Sequence, residues 1–489
     1  MQDLEQRAAW DGKIFVDGEF RAPAGGDTLT VLDKAAGEPL GTAGVASVAD
    51  VDAAVAAAAA AQPAWAAEPY DVRAGILRAA AAELQARAEE IATLLVRETG
   101  CIRGKAEYEV GGAANELFEA AALTSRATAQ IIPSHNPTRV SIAERIPRGV
   151  VGAITPWNFP LILGMRVVAP ALALGNAVVL KPSPETPIGG GLVLAEVFAA
   201  AGLPSGLLQV VPGGVEVGQA IVAHPDVAMI HFTGSTRTGR QIAEVAGRML
   251  KHCSLELGGD NALVVLDDAD VDHAAMIGAW SAFHYQGQTC ITAGRHIVAR
   301  SLYDRYVKAL AERAASITLG DPMDDGVGLG PMINEAQRDR GKAMLDKAVE
   351  GGATVVEGGR VDGLFFRPTV VTDVPRDSDL WAEEIFAPVA PVVPVDSEEE
   401  ALALVNDTPY GLVNGVVTGD LARGQRFAER CRSGMVHVND STCLDEAHVP
   451  FGGIGASGLG GRAGGDANLE EFTETRWISV QRGQVEYPY

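Results

Sequence analysis

A chain of 489 residues, 47% hydrophobic and 21% charged, has the composition of a globular protein and the length for two or three domains with full cores. Its formal net charge of −24 repels polyanions and offers no cationic surface for nucleic acid, although backbone N–H groups at a helix terminus can still hold a phosphate locally. Five cysteines (Cys101, Cys253, Cys290, Cys431, Cys443), none in a C-x-x-C pair, give neither a disulfide framework nor a zinc site and fit a reducing compartment.

The opening residues, MQDLEQRAAWDG, are acidic and amide-rich where a secretory signal needs a basic head and an apolar run, so a cytoplasmic protein is expected. Residues 51–97 are Ala-rich with helical spacing, interrupted near Pro63 and Pro69, and read as surface helices. The most apolar stretch, 161–180, holds Arg166, Pro170 and Asn176, which argues against a membrane span. Across 150–266, short β-branched runs (VVGAIT, AVVLK, LLQVV, MIHFT, CSLEL, NALVVL) alternate with helical segments, the signature of βαβ units and a parallel sheet.

A helix is expected over 270–286, followed by a Gly-containing loop that carries Cys290. A second α/β region continues to about residue 439, with helices at 303–317, 334–350 and 421–432 and strands at ATVV, RPTVV and MVHVN. From 450 to the end, a Gly-rich loop leads into a polar tail suited to docking on a neighbouring subunit.

Two glycine patterns need separating. Gly453, Gly455 and Gly458 spell G-x-G-x-x-G but lack a flanking strand and helix, so they read as a tight loop. The segment HFTGSTRTG sits between a strand and a helix, where Ser235 and nearby N–H groups could meet a pyrophosphate. An ordinary capped turn is the open alternative. Gly239 is followed by Arg240 and Gln241, which excludes a P-loop.

Three residues are candidates for chemistry. Cys290 lies in a loop, although a free cysteine taken alone is more often a buried small hydrophobe, the reading that the other four keep. Glu256 ends a strand at the carboxyl edge of the expected sheet, where α/β ligands bind, with a solvated turn as its alternative. Asn158 stands between two prolines that aim its amide as a rigid oxyanion donor, or it closes an Asx turn. No H-E-x-x-H or Cys-pair motif suggests a metal.

The segments ITPWNFP, VLKPS, FTGSTRTG, LELGG, QGQTC, EEIFAPV and PFGGIGASG, in this order and spacing, resemble the aldehyde dehydrogenase superfamily from about residue 14 onward. The stretches PWNFPLILGMRVVAPALALGNAVVLKP and QTCITAGRH resemble its benzaldehyde and vanillin dehydrogenase branch. The resemblance implies an α/β fold: a Rossmann-like parallel-sheet cofactor domain (1–127 and 148–257), an α/β catalytic domain (258–450) and a small oligomerisation element (128–147 and 470–489). It implies NAD or NADP as cofactor, a small-molecule aldehyde as substrate, and a homodimer or homotetramer.

By the same resemblance, Cys290 would attack the aldehyde, Asn158 and the Cys290 N–H would hold the oxyanion, and Glu256 would activate water, giving a free acid rather than a CoA ester. Thr155, Pro156, Trp157, Lys181, Ser183, Gly214, Phe232, Gly234, Ser235, Gly258, Glu384 and Phe386 would contact the cofactor.

Two departures stand out. Ala387 replaces a usual glycine, tolerable unless the loop needs a positive φ there. Pro184 occupies the place of a ribose-binding Glu, so dual use of NAD and NADP is expected, with Ser183 able to serve a 2′-phosphate.

Leu163, Arg166, Phe283, His284 and Leu444 suggest an apolar funnel for an aromatic aldehyde, with Arg166 or His284 meeting a ring substituent. A semialdehyde dehydrogenase, whose basic residue clamps a distal carboxylate, is the alternative. A non-catalytic protein on the same fold is a second alternative, opposed by the presence of Cys290 and Glu256.

Overall fold

The structure is a computed structural model that describes residues 9–126 and 128–489. Its first sheet has eight strands in the order Glu19–Arg21, Ile14–Val16, Leu208–Val210, Ala177–Lys181, Val150–Ile154, Val227–Thr233, His252–Glu256, Gly458–Leu459. The five strands from Leu208–Val210 to His252–Glu256 pair in parallel, and the additions at either edge are antiparallel. The chain enters the parallel part of this sheet at Val150–Ile154, builds outward on one side, then returns to build on the other. That reversal opens a crevice beyond the carboxyl ends of Val150–Ile154 and Val227–Thr233, the switch point at which α/β sheets bind ligands.

A second sheet of seven strands runs Thr354–Glu357, Thr369–Thr372, Val389–Val395, Ala293–Ala299, Asn261–Val265, Val413–Val417, Met435–Val438, with only the first pair antiparallel. The two α/β lobes expected from the alternation of runs are therefore present. Separate hydrophobic clusters pack around the first sheet and against the second. The segments on either side of the first lobe meet in a third sheet, where Thr473–Gln481 pairs antiparallel with Arg139–Pro147 over nine residues and Ala129–Ile132 completes it. What reads as a polar tail is thus mostly strand, with Ile478 and Val480 alternating with Ser479 and Gln481 along it.

Several expected elements shift. One helix, Val48–Ala67, runs straight through Pro63, and the break comes only at Pro69. Pro63 and Ala59 are both exposed, so the carbonyl that loses its partner is left to water. The helices over 48–99 are also less superficial than expected: Ala54, Ala58, Leu84, Leu95 and Val96 are fully buried against the first lobe. The apolar stretch at 161–180 resolves into a wholly buried helix, Pro160–Ala173, and a buried central strand. Among the described residues no helix is long and apolar enough to cross a membrane. The helix expected over 270–286 stops at Phe283, and that early stop shapes the site.

Candidate active site

The sheet delivers its strand ends to one place. Val150–Ile154 leads into Thr155, Pro156, Trp157 and Asn158, Ala177–Lys181 ends on Lys181, Val227–Thr233 leads into Gly234 and Ser235, and His252–Glu256 ends on Glu256. A cleft of about 680 Å³ is lined by Thr155, Pro156, Lys181, Ser183, Gly214 and Phe232 among others. It shares Pro156, Thr233 and Gly234 with a second cleft of about 590 Å³, lined by Trp157, Asn158, Ser235, Glu256, Gly258, Cys290, Glu384 and Phe386. The two form one groove running from Lys181 to Cys290.

The donors in this groove fit a dinucleotide. Thr155 Oγ1 is buried without a hydrogen-bond partner, and burial lowers the Lys181 ammonium to about 8, so both gain from a polar ligand. Ser235 caps the helix Thr236–Arg248, which begins earlier than its apolar pattern suggested and points its N-terminus at the groove. At Gly258 a Cβ would sit 2.3 Å from the Glu384 carboxylate, so only glycine leaves room for that side chain. Positive φ in the EEIFAPV loop falls on Phe386 (55°) and not on Ala387, so the alanine is tolerated.

Glu185, the acid beside Pro184, turns away from the groove. It binds the Lys34 ammonium at 2.7 Å and the Asn334 amide at 2.9 Å. Ser183 Oγ accepts from the Glu185 N–H at 3.2 Å, which leaves its O–H able to donate.

Cys290 is half-buried where the groove meets a second, inner pocket. The chain reaches it through three successive left-handed residues, Tyr285 (φ 48°), Gln286 (56°) and Gly287 (66°). Such a run costs about 1–2 kcal/mol for each non-glycine residue. Buried hydrogen bonds hold it: Tyr285 O–H to the Thr99 carbonyl (3.1 Å), Gln286 Nε2 to the Gly100 (3.1 Å) and Pro331 (2.9 Å) carbonyls, and Thr292 Oγ1 to the Gly287 carbonyl (3.2 Å). Asn261 Nδ2 donates to the Cys290 carbonyl at 2.8 Å and fixes the residue itself.

Asn158 is held from behind by an ion pair that the sequence did not reveal. Lys105 and Glu109, one turn apart on the helix Arg103–Leu123, are fully buried and 2.5 Å apart. Lys105 Nζ donates to the Asn158 carbonyl at 2.8 Å and lies 4.2 Å from the centre of the Phe159 ring. Glu109 accepts from the Leu161 N–H at 2.8 Å, capping the helix Pro160–Ala173. Breaking a buried pair of this kind costs about 3–5 kcal/mol, so the Asn158 turn is set firmly. The side-chain Oδ1 of Asn158 is buried without a partner, and its Nδ2 is the atom able to donate to an oxyanion.

Three carboxylates and two guanidinium groups set the electrostatics. Burial pushes the Glu256 carboxyl up to about 8, with Arg166 and Arg462 pulling against it. Burial likewise raises Glu384 to about 7, opposed by the Gly259 N–H that donates to it at 3.2 Å. Burial, then the charges of Glu384, Glu256 and Asp445, drive the Cys290 thiol well above its ordinary range. The free enzyme therefore holds Cys290 as a thiol at neutral pH, and forming the thiolate requires a proton acceptor or a positive charge beside it.

The inner pocket is walled by Phe159, Ile162, Leu163, Ile291 and Phe451 and opens through Tyr108, Arg166 and Asp445 onto an outer funnel of about 630 Å³. Arg166 lines this pocket as expected, but its charge is already used. Its Nε donates to Glu116 Oε1 at 2.9 Å and its Nη2 to Asp445 Oδ2 at 2.5 Å, while the guanidinium stacks on Phe451 at 4.8 Å. Burial disfavours its charge, yet the two carboxylates more than restore it.

His284 also lines the pocket. It is stacked on Trp280 at 4.3 Å and kept neutral by burial, its value lowered to about 4. Leu444 does not take part: it faces solvent, while Cys443 and Asp445 on either side line the pocket. Phe283 lies in the core of the second lobe. Both corrections have one cause, since the facing of a single residue in a loop or at a helix end depends on local backbone geometry that spacing does not encode.

Residues 20–478 match the family model of the aldehyde dehydrogenase family. The chain belongs to that family. The benzaldehyde dehydrogenase [NAD(+)] of Pseudomonas putida is 47% identical over 489 residues, covering 100% of both chains, and a vanillin dehydrogenase of an Amycolatopsis species is 48% identical over 98% of each. Among solved structures, an E. coli NADP-dependent enzyme superposes with a TM-score of 0.94 at 36% identity, covering 97% of this chain and 98% of that one. The NAD+ complex of an aldehyde dehydrogenase from Bacillus cereus gives 0.95 at 35% identity, covering 98% of each. This aldehyde dehydrogenase is thus an NAD(P)-dependent oxidoreductase.

Proposed function

We propose that this enzyme oxidises aromatic aldehydes of the benzaldehyde or vanillin type to the free carboxylic acid. The observation that carries the substrate class is the inner pocket: aromatic and aliphatic walls meet at Cys290, and Arg166, the one Lys or Arg among its described lining residues, is neutralised by Glu116 and Asp445. The names of the relatives, benzaldehyde and vanillin dehydrogenases, agree with that pocket. A semialdehyde dehydrogenase needs a free cation for the distal carboxylate. Here an incoming carboxylate would meet an outer funnel edged by Glu116, Glu119, Asp445 and Glu446.

In the mechanism, Cys290 Sγ loses its proton to solvent water in the groove and bonds to the aldehyde carbon, making a thiohemiacetal. Its oxyanion lies between the Asn158 amide and the Cys290 N–H. NAD(P), held by the residues lining the groove, would supply the acceptor for the hydride on this carbon. The acyl group then stays on Cys290 as a thioester. Glu256 takes a proton from water, the resulting hydroxide adds to the thioester carbon, and the Cys290 thiolate departs with the carboxylic acid as product. The acidic funnel favours loss of the anionic product.

Thr155, Pro156, Trp157, Lys181, Ser183, Gly214, Phe232, Gly234, Ser235, Gly258, Glu384 and Phe386 serve as the cofactor contacts. Of the described residues, 9–126 and 148–257 form the cofactor domain and 258–450 the catalytic domain. The segments 128–147 and 470–489 form a dimer or tetramer contact, consistent with Ile131, Ile132, Trp477 and Val480 standing exposed on the three-stranded sheet.

The test is a steady-state panel: benzaldehyde is expected to exceed succinic semialdehyde in kcat/KM by at least about 10²-fold, and the reverse order contradicts the assignment. Dual cofactor use is expected because Glu185 is withheld from the ribose by Lys34 and Asn334. NADP should support at least about a hundredth of the NAD rate. A lower value, a penalty of more than roughly 3 kcal/mol, contradicts dual use.

A further inference from the structure

We infer that the free side-chain oxygen of Asp445 is a subsite for a hydroxyl group carried on the far edge of an aromatic substrate ring. This rests on the aromatic assignment above and adds to it a recognised substituent and the residue that recognises it.

Asp445 stands at the boundary between the inner pocket and the outer funnel, both of which it lines together with Tyr108, Ile162 and Arg166. Its two carboxylate oxygens differ. Oδ2 accepts from Arg166 Nη2 at 2.5 Å, whereas Oδ1 is buried and has no hydrogen-bond partner. A carboxylate oxygen shielded from water and lacking a donor is unfavourable, and the structure around it offers no second donor. The residue cannot turn to relieve this, because Arg166 holds the carboxylate and the Tyr108 hydroxyl donates to its backbone carbonyl at 3.0 Å.

The pocket has two polar ends. Asn158, Thr289 and Cys290 form the inner one, where the aldehyde carbon must sit. The walls between are Phe159, Ile162, Leu163, Ile291 and Phe451. Asp445 lies at the outer end, so it meets the edge of a ring opposite or oblique to the aldehyde, at the para or meta position, and not the ortho position. Only a donor satisfies Oδ1: a phenolic O–H fits, whereas an ether, a halogen or a carboxylate does not. Charge strengthens the choice. Around the subsite, Glu116 and Tyr108 face it from the helix Arg103–Leu123, Arg166 from Pro160–Ala173, and Glu446 and His448 from its own loop. One cation among these acids favours a neutral phenol over a phenolate.

The experiment compares kcat/KM for 4-hydroxybenzaldehyde, 3-hydroxybenzaldehyde, 4-methylbenzaldehyde and benzaldehyde, with hexanal as an aliphatic reference, in the wild type and in Asp445→Asn. In the wild type, one of the two hydroxyl substrates is expected to exceed 4-methylbenzaldehyde by about tenfold or more, the worth of a hydrogen bond to a charged acceptor. In Asp445→Asn that ratio should fall toward one, and taking a ratio within each protein cancels any general effect of disturbing Arg166. A second readout needs no variant: as pH rises through ionisation of the substrate phenol, the wild-type ratio should fall. A ratio near one in the wild type, or one unchanged by Asp445→Asn, overturns the subsite while leaving the aromatic assignment standing. Hexanal outcompeting benzaldehyde overturns the aromatic assignment and the subsite with it.

Discussion

Cys290→Ala is expected to lower NAD(P)H formation by at least about 10⁴-fold, with binding of the cofactor retained. The size of the effect follows from position. Of the five cysteines, Cys290 alone lines both the groove, with Asn158 and Glu256, and the inner pocket. Cys443 also lines the pocket, but its Sγ lies 3.7 Å from the carbonyls of Ser281 and Ile291, and it is absent from the residues lining the groove. Loss of the thiol removes the covalent step that precedes hydride departure, so no first-turnover product should form. Cofactor retention, read by fluorescence quenching or calorimetry, separates this outcome from unfolding. A normal first turnover in Cys290→Ala contradicts the role.

Glu256→Gln should behave in the opposite way. Hydride departure does not need the base that activates water, so one equivalent of NAD(P)H per site should form rapidly before turnover stalls, about 10²–10⁴-fold below the wild-type steady rate. The acyl group then remains on Cys290. The carboxyl of Glu256 is raised by burial to about 8. Its basic form therefore grows as pH rises and saturates above about 8. Where hydrolysis limits turnover, wild-type kcat should climb roughly tenfold per pH unit below that value and level off above it. The Gln variant should lose this rising limb. A stalled first turnover in both variants, or a pH limb that persists in Glu256→Gln, contradicts the division of labour.

The parts of the site that the sequence discloses are those placed by strand ends. Lys181, Ser235, Glu256 and Asn158 each follow or end a β-branched run, and a parallel sheet has to bring such ends to one edge. Cys290 was legible from its motif, though not from its surroundings. Its approach through three left-handed residues replaces the last turn of an expected helix, and the buried amide and hydroxyl contacts that stabilise it come from residues 99, 100 and 331. No local pattern signals contacts made across 45 to 186 residues of chain.

The least legible part is the helix Arg103–Leu123. Lys105, Glu109 and Glu116 fall near one face of it at helical spacing, a polar stripe that on most helices meets water. Here the stripe is buried: it holds the Asn158 turn and neutralises Arg166. Ala106, Val110, Ala113, Ala114 and Leu117 line one apolar face of this helix, and the charged stripe runs directly beside it. Periodicity marks that apolar face but cannot say whether the charged stripe beside it also looks inward. For the same reason Leu444 was read as a pocket residue in place of Asp445: one step along a loop reverses a side chain, and hydrophobicity favoured the wrong neighbour.

The most direct test of the central claim is mass spectrometry of Glu256→Gln, quenched in acid after mixing with benzaldehyde and NAD. The account predicts a benzoyl group on the peptide containing Cys290, in a yield matching the burst of NADH. A burst without an acylated peptide, or a benzoyl group on Cys443, would contradict it.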